Sequence, residues 1–138
     1  YNCRFGDPDT QPIMMRLQSD LVELCLAALD HRLHEKTTVW DERPALGVVL
    51  AAGGYPESYK KGNIIEGLNS ATTPEQKIFH AGTCLEKNQT VTAGGRVLCA
   101  CALGNNLSDA QTNAYQLVST IHWEQMYYRT DIGFKALT

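Results

Sequence analysis

Two short apolar runs, residues 45–52 and 96–103, constrain this chain more than any other feature. The first, Ala-Leu-Gly-Val-Val-Leu-Ala-Ala, is rich in small and β-branched side chains and lacks polar alternation. That pattern describes a strand buried on both faces. Gly53-Gly54-Tyr55-Pro56 stops it. The second run follows Gly94-Gly95 and reads as another buried strand, Arg96 being its one charged residue. Glycines in such turns allow positive φ or a close backbone approach. Shorter strands are expected at residues 63–65, 77–81 and 89–92. The longest apolar stretch, residues 46–52, is far too short to cross a bilayer.

The helical period lies at the two ends. Thr10 is the expected N-cap of a first helix, with Pro12 in its first turn and Ile13, Leu17, Leu21, Leu24 and Ala28 at helical spacing. Asp20 with Glu23 offers a second capping pair, so a break near Ser19 divides the segment into a short and a longer helix. Residues 37–44 are a linker by composition. Near the other end Ser108 and Gln111 form a capping box, and Ala110, Ala114, Leu117, Val118 and Ile121 make one apolar stripe. Trp123, Tyr127 and Tyr128 are expected to pack in the core, with His122 beside them. The resulting class is α+β: a helical lead-in, then a mainly antiparallel sheet with one long packed helix.

Composition narrows the function classes. A hydrophobic fraction of 43% and a charged fraction of 20% suit a globular protein with a real core. The net charge of -3, with cations scattered among the acids, leaves no footprint for nucleic acid or a membrane surface. Arg4, Asp7 and Asp9 stand where a signal peptide would be apolar. The chain opens Tyr1-Asn2-Cys3-Arg4, without an initiator methionine, and reads as part of a longer sequence. Of five cysteines, Cys99 and Cys101 are spaced to share one strand face. A metal pair is geometrically possible there, but no second pair completes a zinc-type set, so buried free thiols of a reducing cytoplasm are expected.

Three polar segments carry candidate chemistry. In Asn2-Cys3-Arg4-Phe5-Gly6-Asp7-Pro8, an Asn carbonyl is a good hard-cation ligand, and Arg4 presents a planar fork to a phosphate or carboxylate. The same residues also serve as surface turn formers. Gly94-Gly95-Arg96 pairs backbone N–H groups with a second fork, an anion cradle or else a tight turn with a solvated Arg. His80 is open to two readings, a general base or a satisfied structural histidine.

Asn2-Cys3-Arg4-Phe5-Gly6-Asp7-Pro8-Asp9-Thr10-Gln11-Pro12 resembles the N-x-R-F-G-D-P-E-T-Q-P segment that ends the ATP-grasp domain of phosphoribosylamine–glycine ligases. The similarity continues through Ser19-Asp20-Leu21-Val22-Glu23 and Val48-Val49-Leu50-Ala51-Ala52-Gly53-Gly54-Tyr55-Pro56. It resumes at Phe79-His80-Ala81-Gly82-Thr83, Gly94-Gly95-Arg96-Val97-Leu98 and Asp131-Ile132-Gly133. It therefore runs through nearly the whole chain in the family's order. One departure is Asp9, where the family has Glu; the shorter side chain puts any role needing that reach in doubt.

The resemblance implies ligation of glycine to 5-phosphoribosylamine at the expense of ATP, through a glycyl phosphate intermediate. It implies Asn2 as a ligand of Mg²⁺ or Mn²⁺, together with a Glu that would precede Tyr1. Arg4 would neutralise the transferring phosphoryl group, Asp7 would contact substrate, and Gly95 and Arg96 would anchor the 5-phosphate. Residues 1–33 would be the end of the ATP-grasp domain and 40–138 the C-terminal domain, with the remainder of the enzyme chain as partner. Two rival readings remain: the C-terminal domain of another ATP-grasp ligase, and a non-enzymatic α+β binding module.

Overall fold

The computed structural model describes residues 4–137; Asn2, the expected metal ligand, and Cys3 lie outside them. Among the described residues are three α-helices: α1 (Thr10–Arg16), α2 (Leu21–Leu29) and α3 (Leu107–Ser119). Six strands accompany them: β1 (Ala45–Ala51), β2 (Gln76–His80), β3 (Thr83–Glu86), β4 (Gln89–Thr92), β5 (Arg96–Leu103) and β6 (Tyr127–Tyr128). The architecture is α+β, as the sequence indicates.

The two apolar runs become the two central strands of a four-stranded sheet ordered β2-β5-β1-β6, with every pairing antiparallel. Their burial on both faces follows from cover on both sides. Leu46, Val48, Leu50, Leu98, Ala100 and Ala102 join Ala110, Ala114, Leu117, Val118 and Ile121 of α3 in one core. Each fully buried Leu or Val there contributes about 1.5–3 kcal/mol relative to exposure. On the opposite face Gly47 is paired with Cys101, and Pro12 of α1 lies over it. A Cβ on Gly47 would stand 2.9 Å from the Cys101 sulfur, 3.1 Å from that of Cys99 and 3.2 Å from Pro12 Cγ. Only a glycine lets α1 come this close to the sheet.

The break between α1 and α2 falls where expected: Asp20 caps α2, accepting from the N–H groups of Val22 (2.7 Å) and Glu23 (3.2 Å). Thr10 differs from expectation. It is the first helical residue rather than the cap, and both its N–H and its hydroxyl donate to the Gly6 carbonyl at 3.0 Å. The cap of α3 is likewise Asn106 rather than Ser108. The Asn106 side chain accepts from the Asp109 N–H at 2.9 Å and donates to its carboxylate at 3.0 Å. Gln111 is thereby freed to donate to the Ile132 carbonyl at 2.7 Å.

The expected strand at residues 63–65 forms only one bridge, Ile64 to Val91, although Ile65 N–H donates to Thr90 O at 2.9 Å. β3, not expected at all, pairs with β4 around a turn at Lys87 and Asn88, whose φ values are 47° and 63°. Two successive positive φ values match the twist of a tight hairpin. The segment at residues 37–44 is tied back rather than free. Val39 N–H donates to Ser19 Oγ at 2.7 Å, Gln18 N–H to Val39 O at 3.0 Å, and Asp41 N–H to Arg16 O at 2.7 Å. No helix among the described residues is long and apolar enough to cross a membrane.

Candidate functional site

The loop before α1 and the start of β5 meet at one corner of the sheet. Asp7 stands at their junction. Its Oδ2 lies 3.2 Å from Arg96 Nε, and its backbone carbonyl accepts from Arg96 Nη1 at 3.0 Å. At the start of α1, Gln11 Nε2 donates to Asp7 Oδ1 at 2.6 Å. Both carboxylate oxygens are thus directed, one by the helix and one by the strand. Partial exposure of both side chains makes such a pair worth only about 0.2–1 kcal/mol, so its importance is orientation rather than stability. Asp7 thus engages Arg96 through Nε and Nη1 together. Asp7 and Arg96, two of the residues singled out in the sequence, therefore converge. Arg4 is exposed nearby, with Nη1 folded over Gly6. Asn2 lies outside the described residues.

Gly95 is buried, and its place is explained by Tyr55. A Cβ added at Gly95 would overlap the Tyr55 ring, so the glycine lets the Gly53-Gly54-Tyr55-Pro56 turn close over the start of β5. The Gly95 carbonyl accepts from Ala52 N–H at 2.8 Å. The neighbouring Gly94 N–H is given to the Gly82 carbonyl at 3.1 Å, so it does not face an anion. Of the expected cradle the Gly94 N–H is thus taken, and the Arg96 guanidinium stands at the same corner.

A cleft of about 260 Å³ opens beside Arg96, lined by Pro8, Val49, Tyr55, Tyr127 and Arg129 among others. Its floor is the apolar outer face of β1, and its cations are Arg96 and Arg129. Sequence reading did not single out Arg129. It binds Asp131 through a fork, Nε to Oδ1 at 2.8 Å and Nη2 to Oδ2 at 2.7 Å. This pairing holds the Asp131 carboxyl below its ordinary range and raises the Arg129 guanidinium above its own. Tyr115 OH donates to the Arg129 carbonyl at 2.7 Å and accepts from Ile132 N–H at 3.0 Å, which fixes this segment to α3. The i, i+2 spacing of Arg129 and Asp131 was the available signal.

The remaining candidates have structural roles. His80 is exposed, and its Nδ1 lies 3.0 Å from Thr83 Oγ1 across the turn between β2 and β3. His122 is exposed, contrary to the packing expected of it, while Trp123 is buried in the core. Cys99 and Cys101 share a face, as their spacing implies, with sulfurs 3.6 Å apart and both thiols free. The hydrogen bond between them and their burial push the Cys101 thiol far up. Among the described residues no three His, Cys, Asp or Glu side chains converge as a metal set.

Comparison with known proteins gives the family. Residues 45–135 match the family model described as phosphoribosylglycinamide synthetase, C domain. The phosphoribosylamine–glycine ligase of Vibrio cholerae (strain El Tor Inaba N16961) is 60% identical over 137 residues, 99% of this chain and 32% of that protein. That of Escherichia coli O157:H7 is 56% identical over 138 residues, with the same coverage of both chains. The crystal structure of the Thermotoga maritima ligase superposes with a TM-score of 0.74 at 33% identity, covering 94% of this chain and 32% of that one. The chain thus spans about a third of the length of the relatives it matches. With the family model matched from β1 to the turn at Phe134–Ala136, the chain belongs to the phosphoribosylglycinamide synthetase C-domain family.

Proposed function

We propose that the chain is the C-terminal portion of a phosphoribosylamine–glycine ligase. The whole enzyme would join glycine to 5-phosphoribosylamine, consuming ATP and releasing glycinamide ribonucleotide, ADP and phosphate in purine biosynthesis. The observation that carries this reading is the extent of the match, 56–60% identity along 99% of the chain to proteins bearing that name. A cytoplasmic location belongs to the same reading and suits the four free thiols among the described residues. So does the division into residues 1–33, ending the ATP-grasp domain, and 40–138, the C-terminal domain.

Within that reaction, the chain's own residues would bind and orient. Arg96, steered by Asp7, meets the 5-phosphate of phosphoribosylamine. Gly95 keeps the Tyr55 turn close beside it, and Arg4 supplies positive charge at the loop before α1. Such a site works by positioning and charge neutralisation rather than through a protein nucleophile. Asn2 is the residue proposed to meet Mg²⁺ or Mn²⁺. The described residues offer no metal donor set of their own, and no step is derived through the ion.

The test is a chimaera in which this chain replaces the matching third of the Vibrio cholerae ligase. ADP formation that requires both glycine and phosphoribosylamine is expected. A folded chimaera that binds ATP but forms no ADP with both substrates present overturns the proposal.

A further inference from the structure

The cleft beside Arg96 offers more than a sugar phosphate needs. Val49 and Ala51 of β1 give it an apolar floor, on the side of the sheet away from the α3 core. Tyr55 and Tyr127 add two aromatic rings, 39% and 57% exposed. Tyr127 is placed by its pairing with Ala51. Tyr55 is held by its seat over Gly95 and by an edge-on contact with Tyr59, the ring centres 6.1 Å apart and the planes at 62°. Among the described residues that line the cleft, Arg96 and Arg129 alone are charged, and the rest are apolar, aromatic or glycine. Phosphoribosylamine is polar throughout, so laying it on this floor gains little from the hydrophobic effect. A ligand that matches the whole cleft is flat and apolar on its faces at one end and anionic at the other.

We propose that the cleft binds a ribonucleoside 5′-monophosphate, its base on the β1 floor beside Tyr55 and Tyr127 and its phosphate at Arg96 and Arg129. This inference rests on the reading of Arg96 as a phosphate anchor and adds a second class of ligand to it. A purine base is polar at its edge and apolar on its faces, so it covers a dry floor and stacks on a tyrosine ring. The guanidinium fork matches a phosphate. Asp7 and Asp131 orient the two arginines, and pairing with one carboxylate does not use up the five N–H donors of a guanidinium. The volume of about 260 Å³ is small for a whole ligand site, so a nucleotide fills it with its base and leaves the ribose towards solvent. The consequence is functional. A nucleotide held there occupies Arg96 and excludes phosphoribosylamine, making the ligase sensitive to nucleotides at its second substrate.

Titration of the chain with AMP, ribose 5-phosphate and adenosine, followed by nuclear magnetic resonance, tests this. AMP should bind at least about tenfold more tightly than ribose 5-phosphate, since stacking of the base adds to the phosphate contact. Tyr127→Ala should bring AMP down to the affinity of ribose 5-phosphate measured on the same variant. If that variant does not fold, nuclear Overhauser contacts from the adenine protons to the Val49 and Ala51 methyl groups of the parent decide, and their absence overturns the proposal. Equal affinity for AMP and ribose 5-phosphate in the parent overturns it too, because the base then has no site. So does adenosine binding as tightly as AMP, because the arginines then hold no phosphate. In the active Vibrio cholerae chimaera, AMP should compete with phosphoribosylamine; competition with ATP alone overturns the proposal. AMP bound in the cleft of a chain whose folded chimaera is inactive counts against the proposed function alone. An active chimaera in which AMP leaves phosphoribosylamine uncontested counts against this inference alone.

Discussion

Asp7 grips Arg96 through two different groups, its carboxylate at 3.2 Å from Nε and its backbone carbonyl at 3.0 Å from Nη1, across 89 residues of sequence. The guanidinium is thereby held in plane and direction beside the cleft that Arg96 helps to line.

If that group anchors the 5-phosphate, the contact exists in ground and transition states alike. In the active chimaera, Arg96→Ala should raise the Michaelis constant for phosphoribosylamine and leave those for ATP and glycine nearly unchanged. A charge-assisted hydrogen bond of about 1.5–3 kcal/mol corresponds to a rise of roughly ten- to a hundredfold. Arg96→Lys should recover only part of this, since an ammonium lacks the fork. Movement of the ATP or glycine constant instead would place Arg96 elsewhere in the site.

Gly95→Ala drives a methyl group into the Tyr55 ring. Overpacking of this kind is expected to destabilise by about 1–3 kcal/mol. The same change in a Tyr55→Ala background should be nearly neutral, because the obstructing ring is gone. Urea unfolding of the four proteins in that cycle measures the coupling directly. Equal losses in both backgrounds would show that the glycine serves the backbone and not the ring.

The two frames proposed for the start of α3 separate by mutation. Asn106→Ala removes the side chain that caps Asp109 N–H and should lose about 0.5–2 kcal/mol. Ser108→Ala, one residue inside the helix, should stay within about 0.5 kcal/mol of the parent. Chemical denaturation of both variants checks the order.

Asp41 supplies an acid-sensitive element. Its carboxyl is lowered to about 2, chiefly by the hydrogen bond from the Arg43 side chain, with help from the Arg43 backbone N–H. A depressed folded value means the protein gains from this group above the unfolded carboxylate range. That gain fades as pH falls from about 4 towards 2. Melting temperatures measured down that range should fall less steeply in Asp41→Asn than in the parent. Identical slopes would show that the pair does not report on folding.

The thiols divide by burial. Cys25 is exposed, whereas Cys99 and Cys101 lie under Pro12 between sheet and helix. An aromatic disulfide reagent should modify Cys25 in the native chain and reach Cys99 and Cys101 only on unfolding. Cys84 is exposed too, but partial desolvation and the nearby Glu86 push its thiol up, so it should react more slowly than Cys25. Peptide mapping after timed labelling distinguishes the four.

The parts of this fold that could be read in advance are those where one run of residues decides the outcome. β1 and β5 announce themselves because burial on both faces removes polar alternation. The α1–α2 break is legible because Asp20 has few competing roles. β3 is silent: Thr83–Glu86 is mostly exposed and carries no apolar stripe to betray it. The α3 cap was ambiguous because Asn106 and Ser108 are both good caps in overlapping frames. Within the site, Arg4, Asp7, Gly95 and Arg96 were flagged by type and resemblance. The contact between Asp7 and Arg96 was not, since no local pattern encodes a pairing over such a separation. Arg129 escaped because its fork to Asp131 looks, in sequence, like any two nearby charges.

The position of β1 in the sheet has a consequence for how the chain is made. Its two neighbours, β5 and β6, are both encoded far downstream of it. On the ribosome β1 therefore emerges with both hydrogen-bonding edges vacant and waits through the synthesis of β2, β3 and β4 before its first partner arrives. The nascent apolar strand is open to wrong pairing throughout that interval. Slowing translation between residues 52 and 96 would lengthen this exposure, whereas a pause after Tyr128 would come too late to matter.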